Sequence, residues 1–192
     1  MKKQQTKAKL VLENPLNVPW VNIDSSTQEK LTQALIQSLP TAKEEYSKHG
    51  LTIGLNEVNV LLENCCQHPN QDSLPRVVFV LQDPESILVT HYPQLIANAN
   101  YYSKGERVCL LVCLGAEAQV SISRKLGLSR ASAIAIRNDS SLLSQVNHLL
   151  NGIPAPSATW LAQASNYQPT KVLRVSTTQG TKDKKELKEG TS

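Results

Sequence analysis

The sequence predicts an α/β fold in which helices cover both faces of a sheet. Two apolar runs, residues 76–81 and 107–114, are continuous rather than alternating, which is typical of strands buried on both faces. A third, shorter run at residues 133–136 has the same character. Between these runs the apolar residues recur at helical spacing. Alternation of helices with buried strands indicates the α/β class.

Caps and breakers place the remaining elements. Ser26 or Thr27 can cap the first helix, and either Asp139 or Ser140 can cap the last one in the core region. A long helix begins after Gly54 and ends before Pro69. The other predicted helices cover residues 26–39, 41–49, 93–101, 115–126 and 140–150, and residues 171–175 alternate well enough for an edge strand.

One domain with extensions accounts for a chain of 192 residues, of which 40% are hydrophobic. Residues 1–25 form an N-terminal arm, whose lysine-rich first ten positions we expect to be disordered. Residues 26–150 form the α/β domain. Residues 151–180 are interrupted by prolines. We expect this segment to wrap around the domain and to end in the edge strand. The charged residues 181–192 are expected to be a flexible tail.

Composition narrows the classes of partner. A net charge of +4 is compatible with RNA binding without requiring it. The sequence has neither an apolar run long enough to span a bilayer nor a signal-peptide core, so we expect a soluble, intracellular protein with no membrane partner. The four cysteines follow no CxxC pattern and fit a reducing compartment, so we expect no metal and no cofactor.

The start of the long helix is the most informative stretch. Gly54 allows close approach to the backbone, and Asn56 and Glu57 follow in the first turn. An amide that both donates and accepts, beside a carboxylate that only accepts, suits the edge of a nucleobase. The alternative is that Asn56 caps the helix and Glu57 favours its positive end. The helix has an apolar face formed by Val58, Leu61, Leu62 and Cys65, opposite a mostly polar side with Asn56, Glu63, Asn64 and Gln67.

No catalytic constellation emerges from the sequence. The histidines are scattered, and Cys66 and His68 are two positions apart, so they do not face each other on a helix. Asp83 follows a buried strand but lacks a second acidic partner, and no glycine-rich phosphate loop is present. We therefore predict no catalytic residues. A small enzyme that uses a cysteine or the Asp83 turn is the alternative, which iodoacetamide labelling would test.

The order of these motifs resembles the kink-turn RNA-binding family of archaeal and eukaryotic ribosomal and RNP proteins, the L-seven-Ae-like proteins. Gly54, Asn56 and Glu57 match its pattern of a glycine, one residue, then Asn-Glu. The strand 77–84 with its Asp-Pro turn and the Leu-Gly at 114–115 also match. The loop 127–136 matches as well. The resemblance as a whole covers roughly residues 30–150. The flanks at residues 11–15 and 171–175, with the extra helix before the motif, are similar to the Pop-three type subunit of fungal nuclear ribonucleases P and MRP, whose animal counterpart is the Rpp-thirty-eight type.

This resemblance implies a three-layer α/β/α sandwich around a small mixed sheet, with basic, flexible N- and C-terminal extensions. It implies a non-catalytic RNA-binding subunit of ribonuclease P, which removes tRNA 5′ leaders, and of ribonuclease MRP, which processes pre-rRNA. The implied partners are the catalytic RNAs and the other protein subunits of both particles, in the nucleus and nucleolus.

The resemblance also implies the RNA contacts. Gly54 and its neighbours approach the RNA backbone, Asn56 and Glu57 meet sheared purine pairs, and the loop 128–132 supports a splayed-out base. The predicted RNA-binding residues are Gly54, Leu55, Asn56, Glu57, Arg124, Lys125, Leu128, Arg130, Ala131 and Ser132.

Two positions depart from the family pattern. The family has lysines that contact phosphates where this chain has Ile53 and Val60, so we expect lower affinity and weaker salt dependence. Basic residues elsewhere can compensate, namely Arg124, Lys125, Arg130, Lys171 and Arg174. The departures keep two alternatives open: a protein-interaction scaffold that does not read RNA, and a subunit of another RNP such as a snoRNP or the ribosome.

Overall fold

A four-stranded mixed sheet forms the middle layer of the fold. The structure, a computed structural model, describes residues 6–12, 17–68, 74–103, 107–162 and 172–178. In chain order the elements are β1 (Thr6–Leu12), α1 (Ser25–Ser38), a 3₁₀ turn (Lys43–Glu45), β2 (Leu51–Ile53), α2 (Leu55–Gln67), β3 (Pro75–Val80), α3 (Tyr92–Tyr102), β4 (Leu110–Cys113), α4 (Gly115–Lys125), β5 (Ala133–Arg137), α5 (Leu143–Leu150), α6 (Thr159–Ala162) and β6 (Val172–Thr178).

The sheet order is β2-β5-β3-β4. Strands β3 and β4 run parallel, with Phe79 opposite Val112, whereas β5 is antiparallel to both of its neighbours. Strands β3 and β5 pair with an irregularity between Pro75 and Val77. The mixed sheet predicted from the family resemblance is therefore confirmed.

Helices pack on both faces of this sheet. On one face α1, α4 and α5 cover the alternate strand residues that include Phe79 and Ile134. On the other face α2 and α3 cover the intervening residues, such as Val78 and Ala135. Because both sets of strand side chains are buried, the strands read as continuous apolar runs in the sequence. This arrangement confirms the α/β/α sandwich.

Several predicted boundaries are corrected by side-chain hydrogen bonds. Asp24, rather than Ser26 or Thr27, caps α1, because its carboxylate accepts the Thr27 N–H at 2.9 Å. The Thr27 hydroxyl donates to the same carboxylate, and the two hydrogen bonds from Thr27 lower the pKa of Asp24. The predicted cap of α5 is also wrong: that helix begins at Leu143, and Ser140 donates instead to the His49 carbonyl at 2.6 Å.

The helix predicted for residues 41–49 is reduced to the 3₁₀ turn Lys43–Glu45. Glu44, Glu45, Ser47 and Lys48 are exposed, so the segment lacks the buried stripe that stabilises a longer helix. Tyr46 anchors the turn by packing on the core and donating its hydroxyl hydrogen bond to the Leu126 carbonyl.

A second unit comprises residues 1–15 and 167–192, in which β1 and β6 form an antiparallel two-stranded sheet. The prediction of a disordered stretch through residue 10 is therefore wrong for Thr6 onward. The strand predicted at residues 171–175 is confirmed with shifted bounds as β6. Leu12 pairs with Val172, a partner too distant in sequence for a local pattern to indicate. The predicted tail at residues 181–192 lies outside the described residues.

Among the described helices, none is long and apolar enough to cross a bilayer.

Candidate nucleic-acid interface

Four connections leave the sheet at the same edge. Strands β2, β3 and β4 end there and β5 begins there, because β5 is antiparallel to β2 and β3. The ladder continues past the strands: Gly54 N–H donates to the Ala133 carbonyl and Leu81 N–H donates to the Ser132 carbonyl, both at 2.9 Å. We call this surface the loop edge, and it comprises residues 54–57, 81–85, 114–117 and 128–132.

The first turn of α2 presents its polar side chains to solvent. Gly54 is the N-cap residue, with φ 115° and ψ 147°, a conformation that only glycine adopts readily. Asn56 and Glu57 follow it and are both exposed. Asn56 lies inside the first turn rather than at the cap, so the interpretation of Asn56 as the helix cap is wrong. Its amide is available for another partner.

The rest of α2 follows the predicted amphipathic pattern. Val58, Leu62 and Cys65 are buried under the sheet, and Leu61 is partly buried beside them. The predicted polar side is exposed: Asn56, Glu63, Asn64 and Gln67. This packing fixes the direction of α2 and therefore the place of its first turn.

The loop 128–132 is held at the loop edge by two glutamines. The Gln82 carboxamide accepts a hydrogen bond from Arg130 Nη2 at 3.2 Å and donates to Ser132 Oγ at 3.2 Å. From the other side, Gln119 of α4 donates to the Ala131 carbonyl at 2.9 Å. Both glutamines therefore hold a loop for which the sequence predicts RNA binding.

Ser123 completes the attachment of this loop to α4. Its hydroxyl oxygen accepts the Ala131 N–H at 2.8 Å, and its backbone carbonyl accepts the Leu128 N–H at 2.9 Å. Sequence reasoning missed Gln82, Gln119 and Ser123. For the α4 pair a signal existed, since two polar residues four apart lie beside the apolar stripe of the helix. For Gln82 none existed, because its partners come from a distant segment.

The predicted RNA-binding residues occupy different environments. Ala131 is buried, while Leu55 and Leu128 are partly buried against the two cores. Arg124 and Lys125 lie in the last turn of α4, beyond Ser123. The residues that the hydrogen bonds bring together at the loop edge with accessible polar side chains are Asn56, Glu57, Arg130 and Ser132.

Acidic side chains dominate the charge of the loop edge. Glu57, Asp83, Glu85 and Glu117 are exposed there, and Arg130 is the basic side chain among them. An open groove of about 450 Å³ between α1 and α4 adjoins Leu114 and adds the carboxylate of Glu29. Phosphates are therefore disfavoured along most of this edge and favoured near Arg130.

Burial shifts the pKa values of three thiols and of one imidazole. Burial raises the pKa of the Cys66, Cys109 and Cys113 thiols, so the nucleophilic thiolate is disfavoured at neutral pH. Burial also lowers the pKa of His91, whose ring hydrogen-bonds the Asn59 amide oxygen at 3.1 Å. Among the described residues, no three His, Cys, Asp or Glu side chains gather as a metal site.

Comparison with known proteins assigns the family. The profile of the family described as "RNase P subunit Pop3" matches residues 2–163. The "Ribonucleases P/MRP protein subunit pop3" of Schizosaccharomyces pombe (strain 972 / ATCC 24843) is 50% identical over 183 residues, which cover 93% of this chain and 90% of that protein. A solved structure, "Giardia lamblia 15.5kD RNA binding protein", aligns with 73% of this chain and 97% of its own, at a TM-score of 0.44 and 16% identity. The matches to Pop3 confirm the resemblance to the Pop-three type subunit, and this chain belongs to the RNase P subunit Pop3 family.

Proposed function

We propose that this chain is a non-catalytic, RNA-binding subunit of ribonucleases P and MRP, and that its loop edge stabilises a kinked stem of the catalytic RNA. The observation that carries this proposal is the exposed Asn56–Glu57 pair, which the helix does not need for capping. The Gly54–Ala133 hydrogen bond joins this pair to the loop that carries Arg130. The turn proposed to read bases and the loop that carries Arg130 therefore lie on one surface.

Each of these side chains has a distinct role in the proposal. The Asn56 amide can donate and accept on one base edge, and the Glu57 carboxylate can accept from base amino or imino groups. Arg130 supplies the positive charge for a phosphate or a guanine. Because exposed carboxylates outnumber basic side chains on the loop edge, the proposed complex depends more on base and backbone contacts than on phosphate contacts.

The proposal assigns the chemistry of both particles to groups outside this chain. The raised pKa values of the Cys66, Cys109 and Cys113 thiols support that assignment. In this role the chain would support tRNA 5′-leader removal and pre-rRNA processing from the nucleus and nucleolus. Its other partners would be the remaining protein subunits of the two particles.

A protein-interaction scaffold is the second candidate, and the electrostatics of the loop edge favour it. Exposed carboxylates at Glu57, Asp83 and Glu117 would attract basic protein segments more readily than RNA. A scaffold would remain bound to its partners after RNA is destroyed. An RNA reader would lose part of its association under the same treatment.

A tagged pull-down from the source cells, with and without RNase, followed by sequencing of the bound RNA, tests the proposal. We expect enrichment of the ribonuclease P and MRP RNAs. The scaffold would be established instead if the protein partners stay bound after RNase treatment and no RNA is bound through Asn56 and Glu57. Enrichment of box C/D or ribosomal RNA would assign the chain to another particle.

Val60 offers a gain-of-function prediction. It is 53% exposed and lies one helical turn after Asn56 on the same face of α2. We expect Val60→Lys to tighten RNA binding at low salt and to steepen the salt dependence by about 0.7–0.9 in log–log slope, as one added phosphate contact would. The measurement is the dissociation constant of the full chain for ribonuclease P RNA over a salt series.

Val108→Lys is the matched control for Val60→Lys. Val108 is 36% exposed and lies before β4, at the end of the sheet opposite the loop edge. The added charge is the same in both variants. Equal changes in the salt dependence of RNA binding would therefore show a general charge effect and would count against RNA binding at the loop edge.

A further inference from the structure

We infer that Gln82 is a positioning residue that holds the side chain of Arg130, in the loop 128–132, in the orientation that binds RNA. The inference rests on the proposed RNA-binding function. It adds a residue that contacts no RNA in the proposed complex and acts through the side chain of Arg130.

The buried polar side chains of the described residues are the first observation that supports this role of Gln82. Among the described residues the buried polar side chains are Gln82, Ser123 and Ser140, with 8%, 4% and 8% of their surface exposed. A buried polar group is unfavourable unless it is hydrogen-bonded. Gln82 and Ser123 both direct their hydrogen bonds to the loop 128–132, whereas Ser140 binds the His49 carbonyl. Two of these three buried polar side chains therefore hold the same loop.

The second support is the hydrogen-bonding logic of the Gln82 carboxamide. Arg130 can only donate, so the carboxamide must present its oxygen to Arg130 Nη2, at 3.2 Å. This orientation points the amide nitrogen at Ser132 Oγ, also at 3.2 Å. One planar group thus sets the positions of two loop side chains at once.

The third support is that Gln82 is a neutral partner. Within the part of the chain that the structure describes, Arg130 forms no ion pair, whereas Arg137 pairs with Asp139 at 3.3 Å. A carboxylate at position 82 would hold Arg130 equally well but would neutralise its charge. A carboxamide holds the guanidinium and leaves both its charge and its remaining N–H groups for RNA.

The test uses the full chain and transcribed ribonuclease P RNA over a salt series. Gln82→Met keeps the side-chain volume and removes the hydrogen bonds, and we expect about tenfold weaker RNA binding from loss of a hydrogen bond to a charged group. Arg130→Met should weaken binding at least as much. The double variant should bind like Arg130→Met alone, because Gln82 acts through Arg130.

Gln82→Glu separates position from charge. It should retain the folded state and the placement of Arg130, yet reduce the salt slope by about 0.7–0.9, as loss of one phosphate contact would. Arg137→Met is the matched control, since it removes one arginine at the far end of β5. We expect the control to leave RNA binding nearly unchanged.

Trypsin provides a readout that needs no RNA. Cleavage after Arg130 should accelerate in Gln82→Met relative to wild type, while cleavage after Arg137 should not change. Unchanged cleavage after Arg130, or additive losses of affinity in the double variant, would overturn the inference. If the wild-type chain binds no RNA, the proposed function fails first, and accelerated cleavage would then show an anchored loop without an RNA-binding role for Gln82.

Discussion

Replacing Asn56 and Glu57 together with alanine is expected to weaken RNA binding by about a hundredfold, because each base contact contributes on the order of 1–3 kcal/mol. The fold should persist. Gly54 rather than Asn56 occupies the cap position, and the exposed Glu57 contributes at most about 1 kcal/mol through the helix dipole. The measurements are the dissociation constant for ribonuclease P RNA and the free energy of unfolding in urea.

The sign of the charge change makes this experiment discriminating. Removing Glu57 deletes a negative charge beside the proposed RNA, which by electrostatics alone would strengthen binding. Weaker binding can therefore be attributed to lost hydrogen bonds. A variant that binds as tightly as wild type, or more tightly, would contradict base reading by this turn.

The same helix supplies a matched control. Glu63→Ala with Asn64→Ala removes the same residue types and the same charge from exposed positions later in α2. We expect this control to leave RNA binding unchanged or slightly tighter. Equal losses in the two double variants would indicate a general effect on α2 rather than recognition by its first turn.

The buried strands were predictable because both of their faces are covered, which makes residues such as Val77–Leu81 continuously apolar. The amphipathic helix α2 was predictable for a related reason, since its buried stripe recurs at helical spacing. The caps of α1 and α5 were less predictable, because several polar residues there could each have served as the cap. The pairing of β1 with β6 joins segments at opposite ends of the chain, and no local signal indicates such a partner.

The candidate site divides in the same way. Gly54, Asn56 and Glu57 form one continuous motif, so their placement at a helix start follows from sequence. Gln82 looked like part of an ordinary turn, because its role depends on Arg130, which lies 48 positions away. The role of Gln82 becomes visible only when the sheet brings its segment and the Arg130 loop together.

Gly54→Ala is expected to lower the free energy of unfolding by about 1–3 kcal/mol, as for a non-glycine residue held at positive φ. A methyl group would meet only the Glu57 side chain, at 3.8 Å, so the cost is backbone strain at φ 115° rather than collision. If the backbone relaxes to negative φ, the hydrogen bond from Gly54 N–H to the Ala133 carbonyl is lost. The first turn of α2 then shifts away from the loop 128–132. Urea unfolding measures the first effect, and RNA binding at a temperature where the variant is folded measures the second.

Gly152→Ala distinguishes strain from recognition. Gly152 has φ 89° with no atom within 4 Å of the added methyl, and it follows α5, outside the loop edge. We expect Gly152→Ala to lose comparable stability while its RNA affinity stays at the wild-type value. Gly54→Ala should lose both, because the strained residue there also sets the register between the first turn of α2 and the loop that carries Arg130. If folded Gly54→Ala binds RNA as well as Gly152→Ala does, close backbone approach at position 54 plays no part in recognition, and Asn56 and Glu57 do not depend on the glycine for their placement.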